Sequence, residues 1–182
     1  AQYWSIRVGD SFSEDAVWCY SEPLEDCLDI RGYVAFYWSK VDAWFEENEQ
    51  VFFGVKDPYT RVDCLRSNRL IEIYINSLLV AKTTSPILLV ETGLPRRFYI
   101  PLSDVIMEYF AQNSRKIPSP YKGEAQYYDF KNEEESIEDI AWFYNNPIPE
   151  VSAIQNCICF PQGKVDMYVD GVLETRPKTR WD

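Results

Sequence analysis

The chain has 182 residues, enough for one medium domain or two small ones, and its net charge of −11 argues against binding to nucleic acid or to anionic membrane surfaces. It contains no histidine, which excludes Ser-His-Asp and Cys-His catalysis and every histidine-containing metal site. Any acid–base chemistry must therefore come from Asp, Glu, Lys, Tyr or Cys side chains. The aromatic content of 16% favours β structure or an aromatic-lined pocket.

The N-terminal part predicts a strand over residues 4–8 and a second over 16–20. A proline-containing acidic loop follows, and then residues 33–38 form an apolar run of buried-strand length. The charge run at residues 46–49 and the Asp57-Pro58 turn predict a linker over residues 47–60.

The middle of the chain predicts strands over residues 69–76 and 78–82, joined by a tight turn at Asn76-Ser77. A central strand is expected at 87–90 and another at 98–100. Ser103 has the character of an N-cap, and the apolar residues at 106, 107 and 110 predict one short helix.

The C-terminal part predicts strands over residues 125–131, 140–144 and 157–160, then a closing hairpin around Asp170-Gly171. Many short strands with few helices indicate a mainly β, antiparallel fold with one or two short helices. In this fold Cys157 and Cys159 share one face of a strand, with Ile158 on the other.

An internal repeat divides the chain, because residues 1–46 align with 125–170 at an offset of 124 positions without a gap. We predict a half-domain at 1–46, a linker at 47–60, a complete domain at 61–177 and a tail at 178–182. The two repeats should share strand layout, with Trp18 and Trp142 buried in matching positions.

The cysteines number five and are scattered, which is typical of a reducing compartment rather than a disulfide framework. No segment reaches the ~18 consecutive apolar residues of a membrane span, and the N-terminus lacks a signal-peptide pattern. Ala1 normally follows a removed initiator Met, so we expect a cytoplasmic protein. A zinc site would need further soft ligands beside Cys157 and Cys159, so we predict no metal.

A set of motifs in the second half identifies a family. They are Leu89-Val-Glu-Thr-Gly-Leu-Pro95, Tyr99-x-Pro101, Pro120-Tyr-Lys-Gly123, Ala125-x-Tyr-Tyr128, Ala141-Trp142-x-Tyr144 and Val165-Asp166. In this order the chain resembles the domain-of-unknown-function family 427, as a tandem-type member with a truncated first domain. The resemblance implies a β-tent-like domain, related in shape to zinc-carrying β folds but without zinc, plus a half-repeat of the same fold. It implies no established reaction, and a label likening the family to nucleotidyltransferases has little support from these residues.

Three side chains are candidates for polar chemistry. Glu91 ends an apolar strand beside a Gly-Pro turn, where it could act as a general base or could simply bind the amides of that turn. Lys122 could bind an anion or act as an acid, unless it is an exposed loop lysine; its neighbour Gly123 would let the backbone approach a ligand closely. Arg97 could hold a carboxylate or phosphate, or form a surface pair with Arg96.

The aromatic residues Tyr99, Tyr127, Tyr128, Trp142 and Tyr144 are predicted either to line a ligand pocket or to fill the sheet interior. We assign catalytic roles to Glu91, Lys122 and Tyr99. We assign ligand binding to Arg97, Tyr128, Trp142 and Tyr144. The chain has no glycine-rich phosphate loop, dinucleotide fingerprint or nucleophile elbow, so no cofactor is predicted.

Two functions remain open at this point. The first is a small-molecule-binding protein or enzyme for a small anionic or polar metabolite, with proton-transfer chemistry of an isomerase, dehydratase or lactone hydrolase. The second is a protein-interaction module that uses an aromatic β surface. The apolar residues of the half-domain need a cover, for which a homodimer is one expectation.

Overall fold

The computed structural model describes residues 1–177, and the predicted tail at 178–182 lies outside the described residues. The chain divides into two compact units, one over Ala1–Gly54 and a second from Val55 onward. All paired strands in the described residues run antiparallel, and the helical segments are short 3-10 helices. The prediction of a mainly β, antiparallel fold is therefore confirmed.

The first unit contains a small three-stranded sheet and a separate hairpin. Its strands are β1 Gln2–Val8, β2 Ser11–Cys19, β3 Ala35–Phe36, β4 Trp44–Glu46 and β5 Glu49–Val51, with a 3-10 helix at Trp38–Lys40. The sheet order is β1-β2-β3, and β4, at the end of the predicted half-domain, pairs with β5, which lies inside the predicted linker. The prediction of a buried strand over residues 33–38 is wrong, because only β3 forms there and Tyr33 is 74% exposed.

The second unit is built from two sheets. Its strands are β6 Val62–Arg66, β7 Ile71–Ile75, β8 Leu78–Thr83, β9 Ile87–Glu91, β10 Arg97–Pro101, β11 Phe110–Ser119, β12 Gly123–Lys131, β13 Ser136–Tyr144, β14 Cys157–Cys159, β15 Asp166–Val169 and β16 Val172–Leu173. Its 3-10 helices are Leu102–Asp104, Met107–Tyr109 and Pro149–Ile154. The larger sheet has the order β11-β12-β13-β14-β10-β9-β6, and the smaller has the order β16-β15-β7-β8.

The main core contains buried residues from both sheets. Ile71, Ile73 and Ile75 alternate along β7 and are buried, as the period of two predicted. They belong to one cluster with Phe98 and Ile100 of β10. The turn between β7 and β8 at Asn76-Ser77 has φ of 47° and 69°, the left-handed values of a type I′ hairpin.

A second, smaller core lies on the opposite face of the larger sheet. It contains Leu89, Tyr99 and Tyr144, together with Val151 and Ile154 from the last 3-10 helix. Along β14 the alternation separates the two cores: Cys157 and Cys159 face the smaller one and Ile158 the larger, as predicted. The candidate site lies at the edge of this smaller core.

The helix predicted after Ser103 is interrupted. The structure has two 3-10 segments, Leu102–Asp104 and Met107–Tyr109, instead of one continuous helix. The amide of Ile106 donates to the carbonyl of Val80 at 2.9 Å, so it is not used in a helical hydrogen bond. Pairing with the neighbouring strand therefore outweighs the helical spacing of the apolar residues.

The internal repeat is a structural repeat as well. Tyr3 pairs with Trp18 in the first unit, and Tyr127 pairs with Trp142 in the second. Both hairpins have their bulge at the equivalent place, where Asp15 and Asp139 take φ of 47° and 53°. The predicted common strand layout is confirmed, but both tryptophans are only half-buried. The prediction that they are buried is therefore wrong: both lie on interior strands, but the sheet face that carries them is only partly covered.

Candidate functional site

Glu91 is the last residue of β9, and it is 9% exposed. The turn that follows is closed by the amide of Leu94, which donates to the carbonyl of Glu91 at 3.1 Å. The Glu91 side chain is not used in that turn. Its carboxylate accepts a hydrogen bond from Nζ of Lys122 at 2.5 Å, so the two candidates that the sequence separates by 31 residues form one ion pair.

Lys122 is held by the backbone on both sides. Its amide donates to the carbonyl of Ser119 at 3.3 Å, and its carbonyl accepts from the amide of Ile148 at 3.2 Å. Gly123 has φ of +101°, and a Cβ placed there would lie 3.0 Å from the carbonyl oxygen of Asn146. The glycine therefore permits close approach of the chain to itself, which corrects the expectation that it serves a ligand.

The ion pair lines a cavity of about 360 Å³ in the second unit, a size suited to a small molecule. Six of the seven predicted site residues border this cavity: Glu91, Arg97, Tyr99, Lys122, Trp142 and Tyr144. The other lining residues are Leu89, Leu94, Arg115, Tyr127, Asp139, Pro161 and Lys164. The residues come from β9, β10, β11, β12 and β13 and from the loops beside them.

Tyr128 is the predicted residue that the structure places elsewhere. Side chains alternate along β12, so Tyr127 faces the cavity and Tyr128 faces the other side of the sheet. There the ring of Tyr128 packs against Phe143 at a centroid distance of 4.9 Å and borders a separate cavity of about 280 Å³. The ligand-binding role proposed for Tyr128 therefore does not belong to this cavity.

Tyr99 supplies a hydroxyl at the base of the cavity. It is 1% exposed, and its oxygen accepts a hydrogen bond from Nε1 of Trp142 at 3.2 Å. Burial raises the pKa of Tyr99 well above its ordinary value, so the side chain remains a neutral phenol. Burial also raises the pKa of Tyr144. The two tyrosines can therefore donate or accept hydrogen bonds but do not act as phenolates.

Arg97 is a half-buried cation on the cavity wall. One of its terminal nitrogens donates to Oε1 of Gln162 at 3.2 Å, and its guanidinium carbon lies 5.7 Å from the ring centroid of Trp142. Within residues 1–177, no carboxylate lies within salt-bridge distance of Arg97, whereas its neighbour Arg96 pairs with Glu174 at 2.7 Å. Arg97 is thus held in place by neutral groups that leave its charge available.

Sequence reasoning missed Arg115, Asp139 and Lys164, and it named Tyr127 among the aromatic candidates without assigning it a role in the site. Arg115 donates to the carboxylate of Asp139, and its guanidinium carbon lies 5.0 Å from the ring centroid of Tyr127. Burial acts to raise the pKa of Asp139, but hydrogen bonds from Asn113 and Arg115 outweigh it, and the net pKa is lowered. The strand register of the repeat could have indicated Tyr127 as a site residue, because Tyr127 lies directly opposite Trp142.

The side chains that border the cavity have a net positive charge, although the protein as a whole is negatively charged. Four cations border it (Arg97, Arg115, Lys122 and Lys164) against two carboxylates (Glu91 and Asp139). Lys122 and Arg115 each have an acidic partner, whereas Arg97 and Lys164 have none within salt-bridge distance in the described part of the chain. An excess of two positive charges therefore lies in the cavity of a protein with a net charge of −11.

No helix among residues 1–177 is long and apolar enough to cross a membrane. The described residues also contain no cluster of three or more Cys, Asp or Glu placed to hold a metal ion.

Two comparisons bear on the family of the chain. A family described as "Domain of unknown function (DUF427)" matches residues 1–47 and 63–171. Curated proteins provide no match to the chain.

Proposed function

Since this chain belongs to the DUF427 family, whose description names no activity, we propose its function from the cavity itself: the protein binds a small anionic metabolite and acts on it by proton transfer. The observation that carries the proposal is the meeting in one cavity of a shielded Glu91–Lys122 ion pair and the cations Arg97 and Lys164, which have no acidic partner among residues 1–177. The reaction class would be that of an isomerase, a dehydratase or a lactone hydrolase.

The binding part rests on charge and shape. A guanidinium presents donors in a planar fork that matches a carboxylate or phosphate, and Arg97 uses one terminal nitrogen on Gln162. Trp142, Tyr127 and Tyr144 supply an aromatic wall for the body of the ligand. The anionic group would be held at the Arg97 side, and the rest of the molecule would extend toward Glu91.

The chemical part rests on the ion pair. The side chains of Lys122 and Glu91 are 12% and 10% exposed, so water screens the pair less than it screens surface pairs. A carboxylate can accept a proton from a substrate carbon or water, and an ammonium can donate one. The neutral hydroxyl of Tyr99 adds a hydrogen-bond donor beside them. These roles need no histidine, which the sequence lacks.

Native mass spectrometry of the protein purified from its own host tests the proposal. We expect a retained small acid, and we expect Arg97→Gln to lose it. Arg96→Gln is the matched control, because Arg96 is exposed and pairs with Glu174. Glu91→Gln and Lys122→Ala should reduce retention or turnover in the folded protein, and both should also lower the melting temperature, because each leaves a shielded charge without its partner. If Arg96→Gln and Arg97→Gln lost the retained acid to the same extent, the result would contradict the proposal.

The alternative function, a protein-interaction module with an aromatic β surface, is favoured by one observation. In the first unit Tyr3, Phe12 and Phe36 are 52%, 57% and 45% exposed. The convergence of Glu91 and Lys122 in the second unit supports the small-molecule proposal instead, since a binding surface alone has no need of a shielded acid–base pair. Retention of a protein partner, with no small acid in the cavity, would favour the alternative.

We further propose that residues 1–46 represent the back half of a second copy of the family domain. The separate match of residues 1–47 and the common strand registers support this arrangement. Its exposed apolar face would be covered in a homodimer, since a two-fold axis can bury a self-complementary patch. Light scattering combined with limited proteolysis tests this. A monomer whose first 45 residues are digested rapidly would show that the face is uncovered.

A further inference from the structure

We propose that the ligand is an acid that also carries a ketone or aldehyde group, and that Lys122 condenses with that carbonyl group to form an imine. This inference rests on the proposed function, since it uses the same cavity and the same anion site. It adds a covalent step and names the substrate class, which is that of 2-oxo acids and related carbonyl acids.

The first support is the shielding of Lys122. Its side chain is 12% exposed, whereas the lysines in the other salt bridges, Lys56, Lys82 and Lys116, are 48%, 55% and 58% exposed. Lysines that form imines lie in partly water-free pockets where the amine can become neutral. Lys122 also borders the cavity, so a carbonyl carbon can reach its nitrogen.

The second support is the proton acceptor beside it. Nζ of Lys122 lies 2.5 Å from a carboxylate oxygen of Glu91. Transfer of one proton across this hydrogen bond turns two charges into a neutral amine and a neutral carboxylic acid, the forms that a water-poor site disfavours least. The amine is then a nucleophile, and Glu91 holds the proton that the carbonyl oxygen will need.

The step balances in atoms and charge. The Lys122 nitrogen bonds to the carbonyl carbon, and the oxygen takes the proton from Glu91 to give a carbinolamine. Glu91 removes a second proton from the nitrogen and returns it to the hydroxyl, which leaves as water as the C=N bond forms. The ammonium and the carbonyl compound thus become one protonated imine and one water, and Glu91 ends as a carboxylate.

The third support is the charge on the cavity wall. Arg97 and Lys164 have no acidic partner among residues 1–177, so they offer a place for the carboxylate of a carbonyl acid. A ligand held there by its acid group would present its other end to Lys122. The cysteines of this core, Cys159, Cys157 and Cys64, are competing nucleophiles, and burial raises the pKa of each, that of Cys159 to about 12. Their thiolates are therefore disfavoured at neutral pH.

Borohydride trapping tests the inference on the full-length protein. The protein is incubated with pyruvate, 2-oxoglutarate or phenylpyruvate and cyanoborohydride, and the adduct is located by peptide mass spectrometry. With at least one acid we expect Lys122 to be modified at least about tenfold more than Lys82, because the cavity positions the carbonyl. Lys82 is the matched control, since it also pairs with a glutamate, Glu72, but on the surface at 2.8 Å.

Two variants and one competitor separate the possible outcomes. Lys122→Arg keeps the charge but cannot form an imine, so the adduct at position 122 should disappear. Arg97→Gln should reduce trapping, because it removes the contact with the carboxylate of the ligand. Lactate has the carboxylate without the carbonyl group and should compete. If Lys122→Arg fails to fold, the location of the adduct on the wild-type chain decides. Adducts spread over the surface lysines, or absent with all three acids, overturn the imine. The proposed function then stands if a retained acid still depends on Arg97, and fails if it does not.

Discussion

The two copies of the repeated hairpin differ in burial although their strand registers match. Phe36 pairs with Val17 in the first unit, and Phe160 occupies the equivalent position in the second. Phe36 is 45% exposed and Phe160 is completely buried; Tyr20 is 43% exposed and its equivalent Tyr144 only 4%. The comparison shows that register depends on the hairpin's own sequence, whereas burial depends on elements that lie elsewhere in the chain.

Those other elements can be identified in the second unit. Strand β14 pairs with β13 on one side and β10 on the other, and β10 contributes Arg97 and Tyr99 to the cavity. The equivalent strand β3 pairs with β2, and no second strand lies along it in the described residues. The first unit therefore has aromatic residues equivalent to those of the site but no equivalents of Glu91 and Lys122.

The largest expected difference between the copies concerns the equivalent phenylalanines. Phe160→Ala should destabilise the second unit by ~3–5 kcal/mol, because it leaves a cavity in a closed core. Phe36→Ala should cost at most ~1 kcal/mol, because nearly half of its side chain is in water. Denaturant unfolding, with hydrogen exchange read separately for each unit, measures both. Similar losses would mean that a partner covers Phe36 in solution.

A smaller difference is expected at two glycines with positive φ. Gly123→Ala should cost ~2–3 kcal/mol, because its Cβ would meet the carbonyl of Asn146 in addition to the backbone strain. Gly9→Ala should cost ~1 kcal/mol, since nothing lies within 4 Å of the added Cβ. Thermal unfolding of both variants tests whether Gly123→Ala destabilises the protein more than Gly9→Ala does. A harmless Gly123→Ala would show that the Lys122 loop can shift freely.

Substitution of Gln162 should change the ligand affinity more than it changes the free energy of unfolding. The first unit has Trp38 at the equivalent position, stacked on Trp44 at 4.7 Å, whereas Gln162 accepts from Arg97. Gln162→Glu places a negative charge on Arg97 and should lower ligand affinity about tenfold, or ~1.4 kcal/mol. Gln162→Met keeps the charge of Arg97 free and is the control. The ligand-bound fraction in native mass spectra gives the result, and unchanged retention in Gln162→Glu would exclude Arg97 as the anion contact.

The smallest effect is expected for the two bulge aspartates under acid. The lowered pKa of Asp139 means that its contribution to stability is present above the unfolded-state pKa of about 3.9 and is lost as pH falls through the folded-state value. Asp139→Asn should therefore cost at most ~1 kcal/mol at pH 7, and the difference should shrink below about pH 4. Asp15→Asn, without an ion pair in the described residues, is the control. A difference that persists at low pH would contradict the assigned ion pair.

The sequence predicted much of the fold because local patterns specify strands. Alternation placed Ile71, Ile73 and Ile75 in the core, and the Asn76-Ser77 and Asp170-Gly171 turns formed as expected. Of the seven site residues that the sequence selected, six border the cavity. It failed for Tyr128, because the choice between adjacent tyrosines depends on which face of β12 is covered.

The amino-acid sequence by itself determined the antiparallel strands, the repeat and the absence of histidine chemistry, because these depend on local preferences and composition. Only the tertiary structure decided that Glu91 and Lys122 form one ion pair and that Arg97 has a neutral partner. The tertiary structure alone also decided which copy of the repeat becomes buried. Contacts between residues far apart in the chain depend on how the sheets close over each other, which no local pattern specifies.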